Sequence, residues 1–173
     1  MDIGIGLWCL QSTATNPRSF GRAYQELTED AQLAEQHGIH SLWLSEHHGY
    51  YDGYCPALMP AASAALAATE TLQVGTGVLL LPLHEPQRVA NAANHLNQQF
   101  PERFHLGVGM GYRPIEFEMK DRHMSQRLKL MTSGLDTLST KTETPTWIGT
   151  VSYTHLRAHE TREDRGCRGG GGK

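Results

Sequence analysis

This sequence predicts an α/β fold of repeated βα units around a parallel sheet, and three observations predict it. Short apolar runs alternate with longer segments of helical period, the pattern of strands joined in one direction through helices. One run, Leu72 to Leu81, is apolar almost throughout, as a strand covered on both faces would be. Four runs end in unusual chemistry: Gly4 to Cys9, Ser41 to Leu44 leading into Ser45-Glu46-His47-His48, Val74-Gly75-Thr76-Gly77-Val78, and Leu106-Gly107-Val108-Gly109-Met110-Gly111-Tyr112-Arg113-Pro114. In parallel sheets the carboxyl ends of the strands form the ligand-facing rim, so four such exits predict one pocket.

The elements follow in order. Ile3 to Cys9 is the first strand, and a helix over Phe20 to His37 carries Phe20, Tyr24, Leu27, Ala31 and Ala34 at spacings of three and four, with Gly38 closing it. Ile39 to Leu44 makes the second strand, and after a loop rich in Gly, Tyr and Pro the alanine-dense helix Ala57 to Ala68 has side chains small enough for close packing. Leu72 to Leu81 is the third strand. A third helix spans Pro86 to Gln99, with proline at its favoured first turn. Phe104 to Val108 is the fourth strand, Ser125 to Leu138 a helix, and Thr146-Trp147-Ile148-Gly149 opens a fifth strand.

The 173 residues, 39% hydrophobic, suffice for one domain with a buried core. A net charge of −3 without a basic stripe gives no sign of a nucleic-acid or anionic-membrane partner. Cys9, Cys55 and Cys167 form no CxxC and read as reduced thiols. With no secretory leader pattern and no segment near the roughly 20 apolar residues of a membrane span, the expected location is cytoplasmic.

His47 stands at a strand exit, and histidine is the side chain whose ordinary pKa lies nearest neutrality, so it is the leading candidate for proton exchange. Glu46 either orients His47 or binds a neighbouring strand's backbone, since a carboxylate in apolar surroundings needs a partner. Gly75, Thr76 and Gly77 interrupt a strand that otherwise wants bulk; glycine there marks a bulge or a close backbone approach, to a ligand or to a packed neighbour. Gly107, Gly109 and Gly111 have the spacing G-x-G-x-G, in the fourth strand rather than the first, which is not a dinucleotide fingerprint. Arg113 either attracts an anion or pairs with Glu116 at the surface. Tyr50, Tyr51 and Tyr54 either wall a tunnel or form an ordinary loop. No metal site is expected, because the paired histidines lack an H-x-H or H-E-x-x-H partner.

Taken together, Glu46-His47-His48, the strand Val74 to Pro82, Pro86-Gln87-Arg88-Val89-Ala90, and Arg103 to Gly109 with Tyr112 to Phe117 resemble the bacterial luciferase-like flavin monooxygenase family over about residues 1 to 130. The resemblance implies a TIM (β/α)8 barrel, here truncated to its first four to five βα units. It implies reduced FMN and O2 acting on a small organic substrate, a separate flavin reductase as supplier, and a homodimer; some relatives use F420 instead. Onto this sequence it carries His47 as the catalytic histidine with Glu46 beside it. Gly75, Thr76, Gly77, Val78, Gly109, Met110 and Tyr112 fall around the flavin ring, with backbone at Gly77-Val78 supporting it, sometimes through a non-prolyl cis peptide. Arg127 falls at the flavin phosphate, and Trp8, His48 and Tyr112 in the substrate pocket. Other readings of the same residues are F420-dependent hydride transfer, and a non-catalytic flavin-binding or dimerisation module.

The pattern changes after Gly149. Val151 to Thr161 resembles translated sequencing-adaptor sequence, and the chain ends in four glycines and a lysine. The expected division is therefore a luciferase-like portion over 1–149 and a non-native or disordered tail over 150–173, with a basic tether as the alternative. Relatives carry a longer stretch between Arg127 and Pro145 and further strands, so this chain is expected to be inactive or nearly so.

Overall fold

A computed structural model of the chain describes residues 2–7, 10–51 and 54–149. The expectations for Trp8, Cys9 and the 150–173 tail lie outside the described residues. In chain order the elements are β1 (Gly4–Leu7), α1 (Phe20–Gln36), β2 (Ser41–Leu44), α2 (Leu58–Ala67), β3 (Gln73–Thr76), β4 (Leu79–Leu80), α3 (Pro86–Gln99), β5 (Phe104–Gly109), α4 (Pro114–Glu118), α5 (Arg127–Lys141) and β6 (Thr146–Gly149), with short 3-10 turns before α3 and α5.

All strand pairings are parallel. β3 and β4 both lie against β5 and are two halves of one strand position, so the sheet runs in chain order from β1 to β6. That is the opening arc of a βα barrel, with five strand positions present.

Local chemistry explains the helices. Ser19 caps α1 by accepting the Arg22 N–H at 3.2 Å, and Glu85 caps α3 by accepting the Arg88 N–H at 2.8 Å, with Pro86 in the first turn where no N–H is needed. Gly38 follows α1 at φ +73°, the left-handed conformation that favours glycine. Buried Ala23, Leu27, Ala31 and Ala34 form the packed stripe of α1. Phe20 does not join it and is 60% exposed: as the first residue of the helix it has no preceding turn to lie over.

The third strand is not continuous. It breaks after Thr76, carries a cis peptide at Gly77-Val78, resumes at Leu79 and coils into a turn at Leu81–Leu83. Neither is it covered by helices on both faces. Leu42, Leu44, Val74, Leu79, Leu106 and Val108 belong to the core shared with Leu27, Ala31, Leu66, Ala90, Met131 and Leu138 of the helices. On the opposite face, register sets Gly6 beside Trp43, Trp43 beside Gly75, Gly75 beside His105, and Gly107 beside Trp147. This face is thinned by glycine and filled by indole. A side-chain carbon on Gly75 would fall 2.4 Å from the Trp43 ring, and Trp43 stacks on His105 at 6.0 Å.

Arg103, at the start of β5, locks the lower end of the sheet. Its guanidinium donates to the Leu66, Thr69 and Leu72 carbonyls at 3.0–3.1 Å and to Thr69 Oγ1 at 2.7 Å, satisfying the end of α2 and the loop that follows. Hydrogen bonds to a charged group contribute about 1.5–3 kcal/mol. Arg103→Ala is therefore expected to lose about 2 kcal/mol in urea unfolding, and Arg103→Lys to recover only part, since an ammonium cannot span the fork.

Candidate functional site

The site stands where β2, the β3/β4 position and β5 deliver their carboxyl ends. Ser45 Oγ donates to the Gly77 carbonyl at 2.7 Å, and the Glu46 N–H donates to the Val78 carbonyl at 3.3 Å. These bonds tie the β2 exit to the Gly77-Val78 backbone, so the imidazole of His47 and the glycine-thinned strand share one rim.

Glu46 is buried, 1% exposed, and its carboxylate is saturated. Oε1 accepts from His48 Nε2 at 2.5 Å and His84 Nε2 at 2.7 Å, and Oε2 accepts the Leu80 N–H at 2.7 Å. Burial pushes its pKa up, but these donors outweigh burial and bring it down to about 2. Of the two roles expected for Glu46, the hold on a neighbouring strand's backbone is the one present; it orients His48 and His84, not His47. His48 is buried, 6% exposed, in this network, so its ring faces Glu46 rather than an open pocket.

His47 takes a different carboxylate. Its Nδ1 lies 3.0 Å from Oε1 of Glu116, a fully buried residue of α4. The same oxygen accepts the His48 N–H at 3.1 Å and Arg113 Nη1 at 3.4 Å. Arg113 also donates to the His48 carbonyl at 2.9 Å and sits 4.0 Å over the Tyr50 ring. The Arg113–Glu116 contact is thus an inward clamp between two loops, not a surface pair. Edge-on aromatic rings surround His47: Tyr54 at 4.7 Å, Tyr50 at 5.4 Å and Tyr112 at 6.1 Å. Tyr51 points away, 94% exposed.

The remaining expected residues divide into four groups. Thr76 is buried, donating to the Gly107 carbonyl at 2.7 Å and accepting the Gly107 N–H at 2.8 Å, so it staples two strands. Gly75 is covered by Trp43, and a carbon on Gly109 would meet Val78 Cγ2 at 2.4 Å; the close approaches at both glycines are made by protein side chains. Tyr112, 57% exposed, and half-buried Val78 and Met110 border the rim. Arg127 opens α5, and among the described residues no hydrogen bond or ion pair engages its guanidinium. Arg122 is engaged, donating to the Pro82 and His84 carbonyls.

Sequence reasoning missed His84 and the role of Glu116. The signal for His84 was a lone polar residue just past an apolar strand; that for Glu116 was a carboxylate directly before Phe117, which is wholly buried. Glu46, His48 and His84 present ligand-type atoms within 4.8 Å of one another. Their 2.5 and 2.7 Å separations are hydrogen-bond lengths, whereas two ligands on a zinc ion, each about 2.0–2.1 Å from it, stand farther apart.

A parallel βα arc with an imidazole, tyrosines and glycine-thinned backbone on its carboxyl rim has the architecture of the βα barrels, a class whose ligand sites lie at that mouth. The model of the luciferase-like monooxygenase family matches residues 3–161, and the chain belongs to that family. It is similar to the alkanal monooxygenase alpha chain of the Kryptophanaron alfredi symbiont, 32% identical over 115 residues, covering 66% of this chain and 32% of that one. Among solved structures it is similar to the monooxygenase RslO1 of Streptomyces bottropensis, with TM-score 0.73 and 26% identity over 80% of this chain and 42% of that chain. The oxygenating constituent of 3,6-diketocamphane monooxygenase from Pseudomonas putida, solved in complex with FMN, shares the fold at TM-score 0.73 and 23% identity, covering 80% of this chain and 38% of that one. The chain spans about a third of the length of the curated relatives it matches. No helix among the described residues is long and apolar enough to cross a membrane.

Proposed function

We propose that this chain carries the flavin-side rim of an oxygenase that uses reduced FMN and O2 to oxidise a small organic substrate. The observation that supports the reading best is the junction at the β2 exit, where Ser45 and Glu46 bond the Gly77 and Val78 carbonyls and bring His47 to the rim bordered by Val78 and Tyr112. In this reading a flat ring lies there: Val78 offers backbone, Met110 a soft apolar edge and Tyr112 an exposed aromatic face, while Gly109 makes room for the Val78 side chain. Gly75 and Thr76 act behind them, one admitting Trp43 and the other joining β3 to β5. Arg127, whose cation meets no acidic group or hydrogen-bond acceptor among the described residues, is the partner proposed for the flavin phosphate. Held by these residues, reduced flavin would supply the electrons that O2 requires. His47 exchanges a proton beside it, Tyr50 and Tyr54 hold the imidazole edge-on, and the Glu46 network keeps the rim rigid. In the whole protein a reductase delivers the reduced flavin and a second copy completes a homodimer, at a cytoplasmic location.

Titration of the 173-residue chain with FMN, read by flavin fluorescence, tests the reading, with F420 as a parallel arm. Since the chain carries only the flavin-side rim, weak but saturable binding is expected, not the tight, stoichiometric binding of a whole barrel. Tyr112→Ala and Arg127→Ala should each weaken it about tenfold, which is about 1.4 kcal/mol, while His47→Ala leaves it unchanged. A flat titration, or one indifferent to both rim substitutions, removes the proposal; saturation by F420 alone reassigns the cofactor.

A further inference from the structure

We propose that Glu116 is the positioning residue of His47: it fixes the imidazole as the Nδ1–H tautomer and leaves Nε2 bare as the proton-accepting atom. The inference rests on the reading of His47 as the proton-exchanging group and adds the residue that prepares it. The expectation for a carboxylate at this rim fell on Glu46, one residue away in sequence, but that group is spent on His48, His84 and the Leu80 N–H.

The tautomer follows from counting donors. Oε1 of Glu116 already accepts the His48 N–H at 3.1 Å and faces the Arg113 guanidinium at 3.4 Å. Neither group can accept a hydrogen, so Oε1 is an acceptor, and the hydrogen in the 3.0 Å contact with His47 lies on Nδ1. A neutral imidazole holds one N–H, so Nε2 is without a hydrogen. In water a free histidine side chain favours the opposite form, and the protein therefore has to select this one.

The geometry also separates positioning from simple charge pairing. A carboxylate retained for its guanidinium would tend to meet it with both oxygens. Here all three donors converge on Oε1, while Oε2, buried in the interior, has no hydrogen-bond partner among the described residues. Arg113 is held elsewhere, on the His48 carbonyl and the Tyr50 ring, and acts on Glu116 from behind as a fixed positive charge. Two segments, the β2 exit and the stretch that opens α4, thus meet on one oxygen, and the ring of His47 is oriented by that oxygen and by the edges of Tyr50 and Tyr54. A second-sphere partner that fixes tautomer and ring direction is how histidines are prepared for a defined proton transfer.

The test is long-range proton–nitrogen NMR on the 173-residue chain at a pH where His47 is neutral, with the His47→Gln spectrum assigning the resonances. Wild type is expected to show Nδ1 at the protonated position and Nε2 at the bare position. Glu116→Gln, whose amide oxygen can stand where Oε1 stands, retains that pattern. Glu116→Ala loses it and shifts the population to Nε2–H. A wild-type His47 found as Nε2–H overturns the proposal without any variant, so a poorly folding Glu116→Ala does not shield it. Persistence of Nδ1–H in a folded Glu116→Ala overturns it as well. Neither readout involves flavin, so failure of FMN binding and failure of this assignment are separate results.

Discussion

Glu46→Ala should be the most destabilising polar substitution in the chain. Removing a buried charged partner leaves the Nε2–H groups of His48 and His84 and the Leu80 N–H without an acceptor, and breaking such an arrangement from one side costs about 3–5 kcal/mol. Wild-type stability should also fall in acid. The Glu46 carboxyl lies at about 2 in the folded protein against an ordinary value of 4.5. A depressed folded pKa stabilises above the unfolded value, so the contribution is complete above about pH 4.5 and disappears as pH falls toward 2. The shift corresponds to about 3 kcal/mol. Urea unfolding midpoints between pH 6 and pH 3, compared for wild type and Glu46→Gln, measure it: wild type should lose much more stability than the variant. Parallel acid curves would show that Glu46 is not held as an ion by its histidines.

How much of this was legible before the structure depends on how local the signal is. The helices from Phe20, Leu58 and Pro86 are visible because periodicity, caps and the position of Pro86 are written within a few residues of one another. The rim is visible for the same reason: Glu46-His47-His48 follows its strand directly. What bonds to what across the rim is not local. Glu116 reaches His47 across 69 positions, and His84 reaches Glu46 across 38, through a loop geometry that no short motif encodes. The break in the third strand was half visible, since Gly75 and Gly77 disturb the run, but the glycines did not say what would approach them. Trp43 does so on its own strand's face, a choice set by the register of β2 on β3. At β6 the gap is of another kind. All four residues are exposed, Trp147 at 60% and Ile148 at 40%, and among the described residues β6 pairs with β5 alone; an apolar edge of this type is an association hazard.

The glycines of the inner face supply the second large effect, because their neighbours differ in what can yield. At Gly107 an added methyl would lie 2.0 Å from the Thr76 carbonyl oxygen. That oxygen belongs to the backbone of the adjacent strand, and Thr76 Oγ1 is doubly bonded to the Gly107 N–H and carbonyl. Relief would require moving β3 against β5. At Gly75 the three nearest atoms the methyl would meet all belong to the Trp43 ring, at 2.4–2.9 Å, and a side chain can be replaced. Overpacking of a well-filled interior costs about 1–3 kcal/mol, occasionally more. Gly107→Ala is therefore expected at or above the top of that range, with no second substitution restoring it. Gly75→Ala should fall within the range and be rescued in the double variant with Trp43→Leu, a coupling that a double-mutant cycle of urea midpoints detects directly. If Gly75→Ala were neutral while FMN binding dropped, the space above Gly75 would belong to the cofactor and Trp43 would have to leave it on binding. If it is destabilising and rescued by Trp43→Leu, this glycine serves the packing of the barrel wall, and the proposed cofactor contacts are confined to the rim beyond it, at Val78, Met110 and Tyr112.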